Sequence, residues 1–251
     1  VGGATVRKYG MGERMGVPSE AELDLMRKAT RESMEDGAFG VATALIYPPG
    51  SYAGTDELVE VMKVVSEYNG VHITHIRSEG DELYEGLDEA LEIAERAGVS
   101  TEIYHLKAAG RDNWPKMKTV IERITEARNR GIDIGADMYP YDGSGTGLAA
   151  CLPPWASADG KRYENLRDPE MRVKILEEMR NPKDSWENLG ARSGPENVLL
   201  AEFEKPENKK YQGRFLADVA NELGVDWHEA IVMLLDSEGH DIFTMYLMMS
   251  E

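Results

Sequence analysis

Three segments decide how this chain folds: Val71-His72-Ile73-Thr74-His75-Ile76-Arg77, Thr101-Glu102-Ile103-Tyr104-His105-Leu106-Lys107 and Asp133-Ile134-Gly135-Ala136-Asp137-Met138-Tyr139-Pro140-Tyr141. Each reads as a strand. Side chains alternate between the two faces of a strand, so residues two apart share a side. That rule places His75 with Arg77, His105 with Lys107, and Asp137 with Tyr139. Helical patterns separate the three segments, which predicts parallel strands ending on the same side. Imidazoles, cations, a carboxylate and phenols then converge on one mouth.

Working outward, Val1 to Gly16 is rich in glycine and reads as a loop at a domain edge. Ser19 with Glu22 forms a capping-box pattern that opens a helix, and Gly37 closes it. Ala38 to Ile46 is small and apolar, a buried strand broken by Tyr47-Pro48-Pro49-Gly50. Thr55 is placed as the cap of a second helix that stops at Asn69-Gly70. Further helices are expected from about Asp81 to Ala97 and from Trp114 to Arg130. Such alternation implies a parallel sheet with right-handed crossovers. No Gly-x-Gly-x-x-Gly follows a strand, so a dinucleotide crevice is unsupported. Polar residues recurring at successive strand ends favour a barrel over an open sheet.

The fold class is therefore α/β, a partial (β/α)8 TIM-type barrel with four of eight strands visible and an inserted, mainly helical subdomain. The division is expected at residues 1–147 for the βα units and 148–251 for the insertion. Within the latter, Asp142 to Gly147 reads as a flexible loop and Leu152-Pro153-Pro154-Trp155 as a rigid turn. Helices are expected at Pro169–Arg180, Gly213–Leu223 and Trp227–Leu235, with short strands at Asn197–Phe203 and Ile242–Met248.

Composition narrows the function classes. Of 251 residues, 41% are hydrophobic and 29% charged, as in a soluble globular protein. A net charge of −18 repels phosphate backbones and argues against nucleic acid. No apolar run is long enough to span a membrane, and no basic-then-apolar leader marks export. One cysteine, Cys151, excludes an internal disulfide and fits a reducing, cytoplasmic setting; it reads as a buried hydrophobe rather than a catalytic thiol. The chain opens at Val1 in mid-pattern, as an internal fragment would.

Two imidazoles on neighbouring strand ends suit a divalent metal such as zinc, which takes neutral histidine nitrogens; a buried, hydrogen-bonded histidine pair is the alternative. His75 and His105 are thus the candidate ligands. Lys107 is a candidate clamp for a substrate carboxylate or a site of modification bridging two metals, or else a solvated strand-end lysine. Arg77 offers a fork to a carboxylate, unless Glu79, two residues on, neutralises it. Asp137 is placed behind a metal-bound histidine as its hydrogen-bond partner. Tyr139 and Tyr141 could line the pocket or pack at the rim. His72 alternates to the opposite face, and His228 and His240 read as non-ligands.

Taken together, these residues resemble the N-acyl-D-amino-acid deacylases (D-aminoacylases) of the amidohydrolase superfamily. The likeness lies in Val1-Gly2-Gly3-Ala4-Thr5-Val6-Arg7, Leu45-Ile46-Tyr47-Pro48-Pro49-Gly50, His75-Ile76-Arg77-Ser78-Glu79-Gly80, His105-Leu106-Lys107-Ala108-Ala109-Gly110, Asn113-Trp114 and Ala136-Asp137-Met138-Tyr139-Pro140-Tyr141, in the family's order. The resemblance implies a zinc-dependent hydrolase releasing a carboxylate and a D-amino acid from a small N-acyl amino acid. It places His75 and His105 as metal ligands, and Lys107 and Tyr139 on the substrate carboxylate. The family's His-x-His motif and cysteine ligand would precede Val1, and its general base, an aspartate, would lie beyond Glu251. Gly2-Gly3-Ala4 stands where Gly-His-Gly is usual. Weak activity or none is therefore expected of this chain alone. A cyclic-amide hydrolase of dihydroorotase or hydantoinase type, with a carboxylated lysine, is the rival enzyme, and a non-catalytic barrel fragment without metal the rival of another class.

Overall fold

The alternation read from the sequence becomes a four-stranded parallel sheet in a computed structural model that describes residues 1–182 and 186–250. The chain divides into two units, one of Val1–Ala108 with Pro115–Tyr139, the other of Ala109–Trp114 with Pro140–Glu251.

In the first unit, helices α1 (Gly3–Met11) and α2 (Glu20–Glu35) precede strand β1 (Gly40–Ala44), followed by α3 (Thr55–Glu67), β2 (Val71–His75), α4 (Leu83–Ala97), β3 (Ser100–Ile103), α5 (Met117–Asn129) and β4 (Ile134–Ala136). The strands lie in chain order and all pair in parallel, with Ala44 opposite His75 and Ile103 opposite Ala136. One face, carrying Val41, Thr43, His72, Thr74, Thr101, Ile103 and Ile134, is buried. Val41 joins a core built from α1, α2 and α3 (Val6, Met26, Leu58, Met62). Ile103 and Ile134 join a second core with α4 and α5 (Leu87, Ile124). Alternation puts Ile73, His75 and Glu102 on the other face.

Local chemistry explains the boundaries. Ser19 accepts from the Glu22 amide at 3.4 Å while the Glu22 carboxylate accepts from the Ser19 amide at 2.7 Å, the expected capping box. Gly98 ends α4 in the left-handed region that only glycine enters freely. Three expectations for this unit are corrected. The glycine-rich start is a helix, not a loop. A Cβ on Gly3 would lie 2.8 Å from Thr43 Cγ2, and one on Gly10 2.9 Å from the Glu22 carbonyl oxygen, so these glycines permit close packing rather than flexibility. The cap of α3 is Gly54; Thr55 is already helical and donates to Glu89 at 2.9 Å. The three deciding strands stop at His75, Ile103 and Ala136, earlier than read.

The second unit contains strands β5 (Gly143–Gly147), β6 (Val198–Leu200), β7 (Arg214–Phe215) and β8 (Phe243–Leu247), antiparallel in the order β5-β8-β6-β7, with helices α6 (Arg162–Arg167), α7 (Pro169–Arg180), α8 (Leu189–Ser193), α9 (Leu216–Leu223) and α10 (Trp227–Glu238). The units part after Tyr139 rather than after Gly147. Residues 143–147, read as a flexible loop, pair with β8 instead: Cβ atoms on Gly143 and Gly145 would come within 2.8 Å of Leu247 and Phe243 side chains, so glycine admits the large cross-strand neighbours. Cys151 is buried beside the Tyr246 hydroxyl at 3.4 Å, and burial pushes its thiol up to about 12, which makes it inert.

Candidate metal centre

The candidate residues of the first unit gather just past the ends of β2, β3 and β4. His75 is the last residue of β2, whereas His105 stands two residues beyond β3 in a turn, at φ 39°. A histidine in that left-handed conformation carries strain that its surroundings must offset. Asp137 supplies the offset. Its Oδ1 accepts from the His105 amide at 2.5 Å, its own amide donates to the Ile103 carbonyl at 3.1 Å, and its carbonyl accepts from the Leu106 amide at 2.8 Å. Asp137 was expected behind a histidine ring; it holds that histidine's backbone instead.

The two rings meet edge to face, with centroids 4.7 Å apart at 70°. Nδ1 of His75 and Nε2 of His105 are 3.0 Å apart. Two nitrogens bound to one tetrahedral zinc at ~2.0–2.1 Å would stand roughly 3.3 Å apart, so a small opening of the rings admits an ion. Nε2 of His75 is buried without a hydrogen-bond partner. Burial, chiefly, pushes the His75 ring down to about 4, which keeps it neutral and fit to ligate.

Glu79 completes the cluster; the sequence reading considers it only as a possible partner of Arg77 and not as part of the site. Its Oε1 lies 3.0 Å from His105 Nδ1, 2.6 Å from Lys107 Nζ and 3.9 Å from His75 Nδ1. Burial alone would raise this carboxyl; His75, His105 and Lys107 together overcome it and hold it at about 2. Candidate ligand atoms of His75, Glu79 and His105 all lie within 4.8 Å of one another, the one such group among the described residues. A carboxylate in the same strand-end segment as His75 was the available signal.

Lys107 is buried, with Nζ 2.9 Å from His105 Nδ1 and 5.3 Å from the centre of the Tyr139 ring. Tyr139 lies 6.2 Å from His105, and Tyr47, which ends the Leu45-Ile46-Tyr47 run, lies 5.6 Å from His75, centroid to centroid. Arg77 is engaged elsewhere. It donates to both oxygens of Glu89 at 2.8 and 2.9 Å and to the Ser51 and Ala53 carbonyls at 3.0 and 2.7 Å. The neutralising partner is thus Glu89 rather than Glu79, and the guanidinium ties the loop after β1 to α4, which weighs against the substrate contact expected for it. In the second unit His228 pairs with Asp226 at 3.0 Å and His240 with Glu204 at 3.1 Å.

No family model matches the chain. It is 36% identical over 146 residues to an N-acyl-D-glutamate deacylase and 32% identical over 148 residues to a D-aminoacylase, both from Alcaligenes xylosoxydans xylosoxydans. Those matches cover 58% and 59% of this chain but 30% of each relative, so the chain spans under a third of their length. Among solved structures, an N-acyl-D-glutamate deacylase from Bordetella bronchiseptica, complexed with zinc and a phosphonate mimic of the tetrahedral intermediate, matches with a TM-score of 0.75 at 25% identity over 98% of this chain and 42% of that one. A D-aminoacylase described as defining a novel subset of amidohydrolases matches at 0.73 and 22% identity, covering 99% and 42%. The resemblance to the N-acyl-D-amino-acid deacylases is thus present in both sequence and fold, and the four-stranded parallel sheet with its helices matches part of that fold.

Proposed function

We propose that this chain carries the metal-binding part of a zinc-dependent hydrolase that cleaves the amide bond of N-acyl-D-amino acids. The observation that carries the reading is the convergence of His75 Nδ1 and His105 Nε2 at 3.0 Å beside Lys107 and Tyr139. His75 and His105 would hold the ion, which when bound polarises an amide carbonyl and lowers the pKa of water. Lys107 supplies a fixed positive charge next to the centre, suited to a substrate carboxylate, and the Tyr139 ring walls the same side. The names of the relatives, an N-acyl-D-glutamate deacylase, a D-aminoacylase and an N-acyl-D-aspartate deacylase, support that substrate class.

Two rival readings lose ground. A cyclic-amide hydrolase with a carboxylated lysine would set a second anion against the buried Glu79 carboxylate, whose Oε1 lies 2.6 Å from Lys107 Nζ, with little water to screen the repulsion. A scaffold without metal would keep His75 and His105 as a hydrogen-bonded pair at the same 3.0 Å, and it is the third ligand atom, from Glu79 within 4.8 Å of both, that favours an ion. No helix among the described residues is long and apolar enough to cross a membrane. The buried free thiol of Cys151 supports a cytoplasmic setting.

Zinc uptake by the purified chain tests the reading, with elemental analysis after dialysis as the readout. About one equivalent should be retained by the chain and lost in His75→Ala and His105→Ala. Hydrolysis, where measurable, should be confined to N-acyl-D over N-acyl-L substrates. Failure of the unaltered chain to retain zinc would overturn the proposal.

A further inference from the structure

Resting on the metal-centre reading above, we propose that Glu79 is the positioning residue of this centre. It holds His105 in the tautomer that turns a lone pair toward His75, and it fixes the Lys107 ammonium in place. The argument begins with what each atom can do. His105 Nδ1 lies 3.0 Å from Glu79 Oε1 and 2.9 Å from Lys107 Nζ. A neutral imidazole carries one N–H, so Nδ1 either donates to the carboxylate or accepts from the ammonium. Lys107 sits closer to Oε1, at 2.6 Å, and a carboxylate is the stronger acceptor for an ammonium proton. Glu79 is 7% exposed and therefore draws little compensation from water. An ionised carboxylate can only accept, so a bare Nδ1 lone pair facing Oε1 at 3.0 Å would be repelled in every arrangement, whereas the ammonium can rotate its three protons toward Oε1 and away from an Nδ1–H; the contact with Glu79 is bonding only when Nδ1–H donates. Nε2 then carries the lone pair, and Nε2 is the atom that faces His75 Nδ1 at 3.0 Å.

The loop bearing Glu79 is built to hold it still. Ser78 Oγ accepts from the amides of Gly80 and Glu82, both at 3.2 Å. Helix α4 closes on the loop at Gly86, where a Cβ would sit 3.0 Å from the Ser78 amide nitrogen and carbonyl oxygen. One oxygen atom therefore orients a ligand and a cation together. A carboxylate on the distal nitrogen of a ligating histidine fixes the ring and raises its basicity, and its loss weakens metal binding by about 10–100-fold.

Long-range 1H–15N correlation spectra of the histidine rings in the full metal-free chain, together with zinc competition titrations, test this. The unaltered chain should show His105 protonated at Nδ1 with a pyridine-type Nε2. In Glu79→Ala that signature should be lost and zinc affinity should fall about 10–100-fold. Glu79→Gln, which keeps an oxygen acceptor, should retain the tautomer and recover part of the affinity. An Nε2-protonated His105 in the unaltered chain overturns the proposal outright, whatever the variants do. So does a folded Glu79→Ala that keeps both the tautomer and the affinity. If the unaltered chain takes no zinc at all, the metal reading fails, while the ring spectrum still judges the role of Glu79.

Discussion

At the scale of single residues, His72 shows what burial does to an imidazole. It lies fully buried on the covered face of the sheet, with Nε2 3.0 Å from Thr43 Oγ1. Thr43 donates its own proton to Thr74 Oγ1 at 2.8 Å, so His72 must donate from Nε2, and Nδ1 is left buried without a partner. Burial pushes this ring from 6.5 down to about 4. The unfolded chain then binds a proton that the folded chain refuses, so the stability is fully present above about pH 6.5 and is lost as pH falls toward 4. The loss is on the order of 3 kcal/mol. Urea unfolding followed from pH 7 to pH 4 should therefore fall more steeply for the native sequence than for His72→Gln. Parallel profiles for the two would contradict this account.

At the scale of elements, the parallel pairing of β1 with β2 depends on Gly40. It sits opposite Val71, and a Cβ there would lie 1.8 Å from the Val71 carbonyl oxygen, a backbone atom with no rotamer to relieve it. Gly40→Ala should cost about 3 kcal/mol or more, at the upper end of overpacking penalties. Gly54→Ala is the control. It caps α3 at φ −84° with nothing within 4 Å of the added carbon, and should cost less than about 1 kcal/mol. Chemical denaturation of the two variants distinguishes local crowding from a general intolerance of side chains at glycines. Similar losses would mean that β1 and β2 readily shift apart.

At the scale of the whole molecule, 46 acidic residues against 28 basic ones give a net charge of −18. Like charges repel most when the chain is compact and the ionic strength low. Screening acts over about 10 Å at 0.1 M salt, so raising sodium chloride from about 10 to 150 mM should raise the melting temperature. Thermal melts at the two concentrations check this. A lower melting temperature at higher salt would show that surface ion pairs such as Arg27 with Glu20, Asp24 and Glu60 outweigh the net repulsion.

Periodicity and punctuation are local properties, and they were enough to determine the alternation of helices and strands, the Ser19 capping box, the parallel sheet and the two histidines as a pair. Contacts between distant residues are not written in any one segment, and these only the tertiary structure decided. Gly3, Gly10 and the glycines of β5 read as flexible because the neighbours they admit come from elsewhere in the chain. Strand alternation placed His105 with Lys107, yet β3 ends at Ile103, and it is Asp137 that fixes the intervening turn. Proximity in sequence offers Glu79 only as a possible partner for Arg77, which instead reaches Glu89 and the loop after β1, leaving the carboxylate to His105 and Lys107. Sequence order sets which residues are neighbours along the backbone, whereas a site depends on which side chains the packed core brings within 3 Å of one another, as His75 and His105 are.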